Sequence, residues 1–286
     1  MGPGSEECLK LGKIGFLNVL PIYHPLETGI VPHPFEIVSG HPAKLNGLMA
    51  RGELDLSVVS SVEVAKSPER YFVIPDLSIG CLGAVQSVLL LSRKPIELLD
   101  GQRIVATTQS HTSIALLKIL FQVRMRQKLS LEPGNCTEAV ASDNPPEAFL
   151  AIGDEALRLR EDPRYPFQMD LGEAWHRWTG LPFVFALWVV QRRTVERAQG
   201  SLTQAIQSLH AAKAWGQAHI DEVCAIAARS GILDEHGLGF YYQALRFDLN
   251  EAEKRGLNLF FQYLQVIGEI PRVPPLEIVS PFAQAA

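Results

Sequence analysis

Gly83-Ala84-Val85-Gln86-Ser87-Val88-Leu89-Leu90-Leu91-Ser92-Arg93-Lys94-Pro95 is the stretch that decides the fold. It opens on a backbone-permissive glycine, sets one serine before an apolar run, and ends in turn chemistry. Val88 to Leu91 has no polar break, the pattern of a strand buried on both faces. Ser87 then stands at the strand's mouth. Lys94-Pro95 and Asp100-Gly101 suit a passage between two lobes. The stretch predicts a lobe-to-lobe strand beside a ligand cleft.

Upstream, residues 11–16 form an apolar strand that runs into the Pro-started helix after Leu17-Asn18-Val19-Leu20-Pro21. Asn18 falls at that strand's carboxyl end, where open α/β sheets bind ligands. A strand at 35–38, a helix at 43–51 capped by Gly52, a strand at 55–59 ending in Ser60-Ser61, and a segment at 71–75 complete a βαβαβ unit. These elements assign residues 10–95 to a first lobe. Downstream, a strand at 103–107 meets a segment in which Ser110 or its neighbours cap a helix carrying Ile114, Leu116, Leu117, Leu120, Phe121 and Val123. A strand at 148–152 leads into a helix with Asp154 as its capping residue. A helix at 172–179 and an apolar return strand at 183–190 close a second lobe of residues 96–190. Residues 191–286 are nearly strand-free and return to the first lobe as helices at 195–230 (broken near Gly216), 234–246 and 251–267. The Pro-rich stretch 271–281 should lie extended over the surface.

Composition narrows the classes. A formal net charge of -5 with no block of Lys and Arg argues against a nucleic-acid binder. The densest basic patch, Arg124, Arg126 and Lys128, reads as the solvated end of a helix. Cys8, Cys81, Cys136 and Cys224 lie far apart, with neither zinc-ligand spacing nor a disulfide framework, and are expected as free thiols. No apolar run approaches the ~20 residues a membrane helix needs. The opening Met1-Gly2-Pro3-Gly4-Ser5-Glu6-Glu7 is polar and acidic, unlike a signal peptide, so the expected location is the cytoplasm. Gly-x-Gly-x-x-Gly, Walker and Gly-x-Ser-x-Gly motifs are absent, and neither cofactor nor metal is expected. Oligomeric state is not legible.

The chemistry gathers at the strand ends: Asn18, Ser60, Ser61, Ser87, Ser110, Thr112, Ser113 and Asp154. These are small, mostly uncharged groups, several at helix starts, where unpaired N–H groups and the helix dipole attract anions. The pattern reads as a site for a small organic acid. Taken singly, each has a plainer reading as a helix cap or turn residue. His111, inside the Ser/Thr cluster, reads either as a general base or as a solvent-facing first-turn residue.

Six strings together resemble the chorismate dehydratase family: Lys13-Ile14-Gly15-Phe16-Leu17-Asn18-Val19-Leu20-Pro21, Gly52-Glu53-Leu54-Asp55-Leu56-Ser57-Val58-Val59-Ser60-Ser61, Gly83-Ala84-Val85-Gln86-Ser87-Val88, Ser110-His111-Thr112-Ser113, Ile152-Gly153-Asp154-Glu155-Ala156-Leu157, and Thr179-Gly180-Leu181-Pro182-Phe183-Val184-Phe185-Ala186 with Trp188. The resemblance spans roughly residues 11–190. It implies a two-lobed, periplasmic-binding-protein-like α/β fold of type II and a cofactor-free, metal-free conversion of chorismate to 3-[(1-carboxyvinyl)oxy]benzoate in the futalosine route to menaquinone. By analogy Asn18 and Ser87 lie nearest the reacting ring, and Ser60, Ser61, Thr112 and Ser113 hold carboxylates. Gly83, Ser110, His111, Gly153 and Asp154 join the substrate-binding set. Two proton acceptors stay open, His111 and the substrate's own enolpyruvyl carboxylate, with proximity favouring the second. The rivals are a 1,4-dihydroxy-6-naphthoate synthase, an organic-acid solute-binding protein and the sensor half of a transcription regulator. The first differs in its opening motif, the second normally carries a signal sequence, and the third lacks its helix-turn-helix module here.

Overall fold

A computed structural model describes residues 8–280; the acidic opening 1–7 and Pro281 of the Pro-rich stretch lie outside them. The chain begins with β1 (Leu9–Lys13), a 3-10 turn at Leu17–Val19 and α1 (Leu20–Glu27), with Pro21 in the first helical turn, where a missing N–H costs nothing. Next come β2 (Phe35–Ser39), α2 (Pro42–Arg51), β3 (Leu56–Ser60), α3 (Ser61–Lys66) and β4 (Tyr71–Cys81). Gly52 closes α2 in the left-handed region at φ 70°, a conformation glycine adopts without steric penalty. Then follow β5 (Val88–Ser92), β6 (Arg103–Thr107), α4 (His111–Ile119) continued by a π-helical turn at Leu120–Met125, β7 (Ser130–Gly134), α5 (Cys136–Ala141), β8 (Ala148–Ile152), α6 (Gly153–Leu159), β9 (Phe167–Asp170) and α7 (Leu171–Thr179). The chain ends through β10 (Phe183–Gln191), α8 (Arg192–Arg197), α9 (Gln199–Ala218), α10 (Ile220–Ala227), α11 (Glu235–Ala244), β11 (Leu245–Arg246) and α12 (Glu251–Val266).

Two sheets organise these elements. The first runs β11-β4-β10-β3-β1-β2, the second β7-β6-β8-β5-β9. The β1–β2 and β1–β3 pairs are parallel, as are β6–β7 and β6–β8, while β10 and β5 each run antiparallel to both neighbours. All five residues of β5 are buried, which is why its sequence shows no alternation. Its place corrects the expected lobe boundary at residue 95: β5 pairs with β8 and β9 in the second sheet. The chain therefore leaves the first sheet between Cys81 and Val88 and regains it at Phe183.

Other differences have local causes. β4 continues past Pro75 because it follows β10 through two register irregularities, with Asp76 at φ 48°. The strands β7 and β9 are short and largely exposed or half-buried, so they carry little apolar pattern. Gly216 does not break α9. It lies where α9 crosses α1, and a Cβ there would stand 2.1 Å from the Pro21 carbonyl oxygen. Arg124 is more than a solvated helix end, since its Nη1 donates to the Ala174 carbonyl at 3.0 Å. The Pro-rich tail is extended, yet it pairs with β4: Val73 N–H donates to Glu277 O, and Val279 N–H to Val73 O. All four cysteines are free, and all but Cys8 are buried. Among the described residues no helix is long and apolar enough to cross a membrane.

Candidate active site

The cleft between the sheets holds a cavity of about 180 Å³. Its apolar walls come from both sheets, among them Val58, Val59 and Ile79 from the first and Val88 and Ile152 from the second. Asn18, Ser60, Ser87, Ser110, His111, Ser113 and Gly153 line it, seven of the eleven candidates. Neither Asp, Glu, Lys nor Arg is among the lining residues, and His111 is their sole titratable side chain.

Asn18 belongs to the 3-10 turn beyond β1, and its Oδ1 is sealed from solvent without a hydrogen-bond partner. That turn is held from two sides. Leu17 N–H donates to Asp154 Oδ1 at 3.1 Å, and Leu17 O accepts from the Tyr242 hydroxyl at 3.0 Å. Ser87 is buried at the entrance to β5. Its carbonyl accepts from Gly153 N–H at 2.7 Å and its Oγ from the Tyr241 hydroxyl at 3.2 Å. The preceding loop turns through Gly83 at φ 92° and Gln86 at φ 65°, a conformation a non-glycine residue adopts only under constraint. The constraint is Asp170. Its carboxylate accepts from the backbone N–H groups of Val85, Gln86, Gly172 and Glu173, fastening the loop to the start of α7. Burial pushes the Asp170 carboxyl up from its ordinary pKa, while the four N–H donors oppose that shift.

Ser60 caps α3 by accepting from Glu63 N–H at 3.3 Å, and Ser110 caps α4 by accepting from Ser113 N–H at 3.1 Å. Ser110 and Ser113 also share a hydroxyl–hydroxyl hydrogen bond of 2.9 Å. Both caps thus coincide with cavity-lining positions, so capping a helix and lining the cavity do not exclude each other.

Four candidates lie elsewhere. The Ser61 hydroxyl is buried and donates to Val184 O at 2.7 Å. Thr112 Oγ1, equally buried, accepts from Val62 N–H at 3.2 Å, joining α4 to α3. Both side chains are engaged inside the protein and are not presented to the cavity, against the expectation that they hold carboxylates. Gly83 is not among the lining residues, and a Cβ there would stand 3.2 Å from Glu173 Oε2. Asp154 does not cap α6, whose N-cap is Ile152; it reaches back across the cleft to Leu17 instead. Burial raises its carboxyl pKa, partly countered by that hydrogen bond. Sequence reasoning missed Tyr241 and Tyr242, together with the cavity-lining Asn46, Thr108 and Gln109. Phe240-Tyr241-Tyr242 on a helix reads as core, and nothing local announces that two hydroxyls reach residues 154 and 225 positions away. Among the described residues no cluster of three or more His, Cys, Asp or Glu is placed to hold a metal ion.

Two sheets enclosing an uncharged, hydroxyl-lined cleft define a protein of the two-lobed periplasmic-binding-protein fold. A Candida albicans protein described as having that generic fold superposes with a TM-score of 0.68 at 11% identity, over 94% of this chain and 92% of its own. Sequence is more specific than shape. Residues 9–266 match the family model described as menaquinone biosynthesis, and the chain belongs to that family. It is 31% identical to a chorismate dehydratase of Thermus thermophilus over 270 residues, covering 89% of this chain and 94% of that protein. A 1,4-dihydroxy-6-naphthoate synthase of the same organism is 27% identical over 92% of this chain and 96% of its own.

Proposed function

We propose that this protein is a chorismate dehydratase, a cytoplasmic hydro-lyase of menaquinone biosynthesis that forms 3-[(1-carboxyvinyl)oxy]benzoate. The observation that carries the reading is the cavity itself. Asn18 and Ser87 face one enclosed space whose other polar groups are hydroxyls, amides and the first turn of α4. Such a lining suits a small dicarboxylate held by hydrogen bonds, with a helix dipole contributing about 0.3–1 kcal/mol toward an anion.

The reaction removes the C3 proton and the C4 hydroxyl. The C3–H electron pair becomes the C3–C4 π bond, the C4–O bond breaks, and hydroxide takes up a proton to leave as water. Nothing is oxidised or reduced, and aromatisation drives the step. With no Asp or Glu lining the cavity, the substrate's enolpyruvyl carboxylate serves as the C3 base. Asn18 and Ser87 hold the conformer in which that carboxylate reaches the proton, and enforced proximity of this kind lowers barriers by several kcal/mol. Ser60, Ser110, Ser113 and the Gly153 backbone surround the remaining polar groups of the substrate. His111 is a binding residue in this scheme.

The test is to mix the purified protein with chorismate, add no cofactor, and follow ultraviolet absorption and product mass. Loss of one water with a new benzoate absorbance is expected. Unchanged chorismate overturns the reading, and a raised melting temperature without turnover replaces it with a solute-binding role.

A further inference from the structure

We propose that Tyr241 and Tyr242, successive residues of α11, are positioning residues for the two groups assigned to catalysis: Tyr241 aims the Ser87 hydroxyl, and Tyr242 seats the turn that carries Asn18. This assignment rests on the proposed dehydration for its kinetic consequences, though not for its geometry.

Neighbouring residues of a helix project about 100° apart, so one turn of α11 reaches two different loops. The Tyr241 ring is fully buried, and its hydroxyl meets Ser87 Oγ at 3.2 Å. The Tyr242 hydroxyl, 5.4 Å away ring to ring, meets Leu17 O, one residue before Asn18. A buried phenol normally satisfies its O–H on whatever acceptor the core offers. Here the acceptor chosen by Tyr241 belongs to a cavity-lining residue. Donor arithmetic then matters. Ser87 has one proton to give, and its oxygen already accepts from Tyr241. Its other contact inside the protein, Val85 O at 3.5 Å, is at the limit of hydrogen bonding. With its oxygen occupied by Tyr241, the serine proton is held only by the long contact to Val85 O, which it can exchange for a substrate acceptor, so that the serine acts as a donor to the substrate. Tyr242 completes a clamp on the Asn18 turn: the preceding residue, Leu17, donates its N–H to Asp154 and accepts at its carbonyl from the tyrosine.

Phenylalanine removes each hydroxyl and keeps the ring. Tyr241→Phe should lower kcat about tenfold and Tyr242→Phe about fivefold, with KM within twofold of wild type, as loss of one oriented hydrogen bond implies. Because Tyr241 acts through Ser87, Tyr241→Phe should cost nothing further in a Ser87→Ala background. Additive losses, or a raised KM at unchanged kcat, overturn the assignment. Crystal structures of wild type and Tyr241→Phe read the Ser87 torsion without reference to turnover. A second rotamer in the variant supports the positioning role, and one unchanged rotamer refutes it. A wild-type protein inactive on chorismate sinks the proposed reaction while the torsion still decides this inference. If Tyr241→Phe does not fold, the Ser87 torsion in Tyr241→Trp or Tyr241→His, each with a ring N–H able to replace the phenol donor, decides it: retention of the single rotamer supports the role and its loss in both refutes it.

Discussion

The Asp154 carboxylate and the Leu17 amide, 137 residues apart, meet at 3.1 Å across the cleft and tie α6 of the second sheet to the turn after β1. A charged acceptor on a part-buried N–H is worth about 1.5–3 kcal/mol. Asp154→Ala should therefore raise KM for chorismate about tenfold or more by loosening this tie across the cleft, and Asp154→Asn, which keeps an acceptor, should recover most of the loss. Steady-state kinetics on both variants check this.

Thr112 joins α4 to α3 and does not face the cavity. Thr112→Val leaves the buried Val62 N–H unpaired and should cost about 1–3 kcal/mol of stability. Thr112→Ser should restore it. Urea denaturation gives the comparison, and a pure affinity defect at unchanged stability would return Thr112 to the substrate-binding set.

Glu269 is gripped by Lys118 of α4 at 2.6 Å and Lys66 of α3 at 2.7 Å, and the two ammonium groups lower its pKa from 4.5 to about 2. A depressed carboxylate stabilises the fold above its unfolded value, and that contribution is lost as pH falls from about 4.5 toward 2. Glu269→Gln should thus cost about 1 kcal/mol at pH 7, a figure that allows for solvent screening. The gap from wild type should shrink to about half by pH 3, as read by denaturant titrations at the two pH values.

His111 is exposed at the first position of α4. His111→Ala should keep kcat within about tenfold of wild type if the substrate supplies its own base. A loss of about a thousandfold or more would move general-base catalysis to His111.

Gly216→Ala sets two effects against each other. Alanine gains about 1 kcal/mol of helix propensity over glycine. The new Cβ, however, meets the Pro21 carbonyl at 2.1 Å, and overpacking against backbone costs about 1–3 kcal/mol. The clash should win, with a net loss of about 1 kcal/mol and a lower melting temperature.

Much of this arrangement was legible in the sequence, because uninterrupted apolar runs such as Val88 to Leu91 and the Ser110 cap leave strong local signatures. Asn18 and Ser87 could be picked out because each follows or precedes a strand. What stayed hidden was long-range. Whether a serine or threonine at a helix start faces a ligand or a neighbouring backbone depends on the opposing element, so Ser60 and Ser61 read alike and diverge only in three dimensions. The same limit explains Asp154, whose good capping chemistry serves a distant amide. It also explains β5, whose double burial was plain but whose partners were not.

The dependence of Ser87 on Tyr241 sets an order in time as well as in space. The two residues are 154 positions apart, so at about 5–20 residues per second a ribosome needs roughly 8–30 s to pass from one to the other. Both sheets acquire most of their strands well before then, while Leu245, which closes part of the cavity wall, is added just after the tyrosines. The growing chain thus holds most of both sheets before Tyr241 exists to meet Ser87.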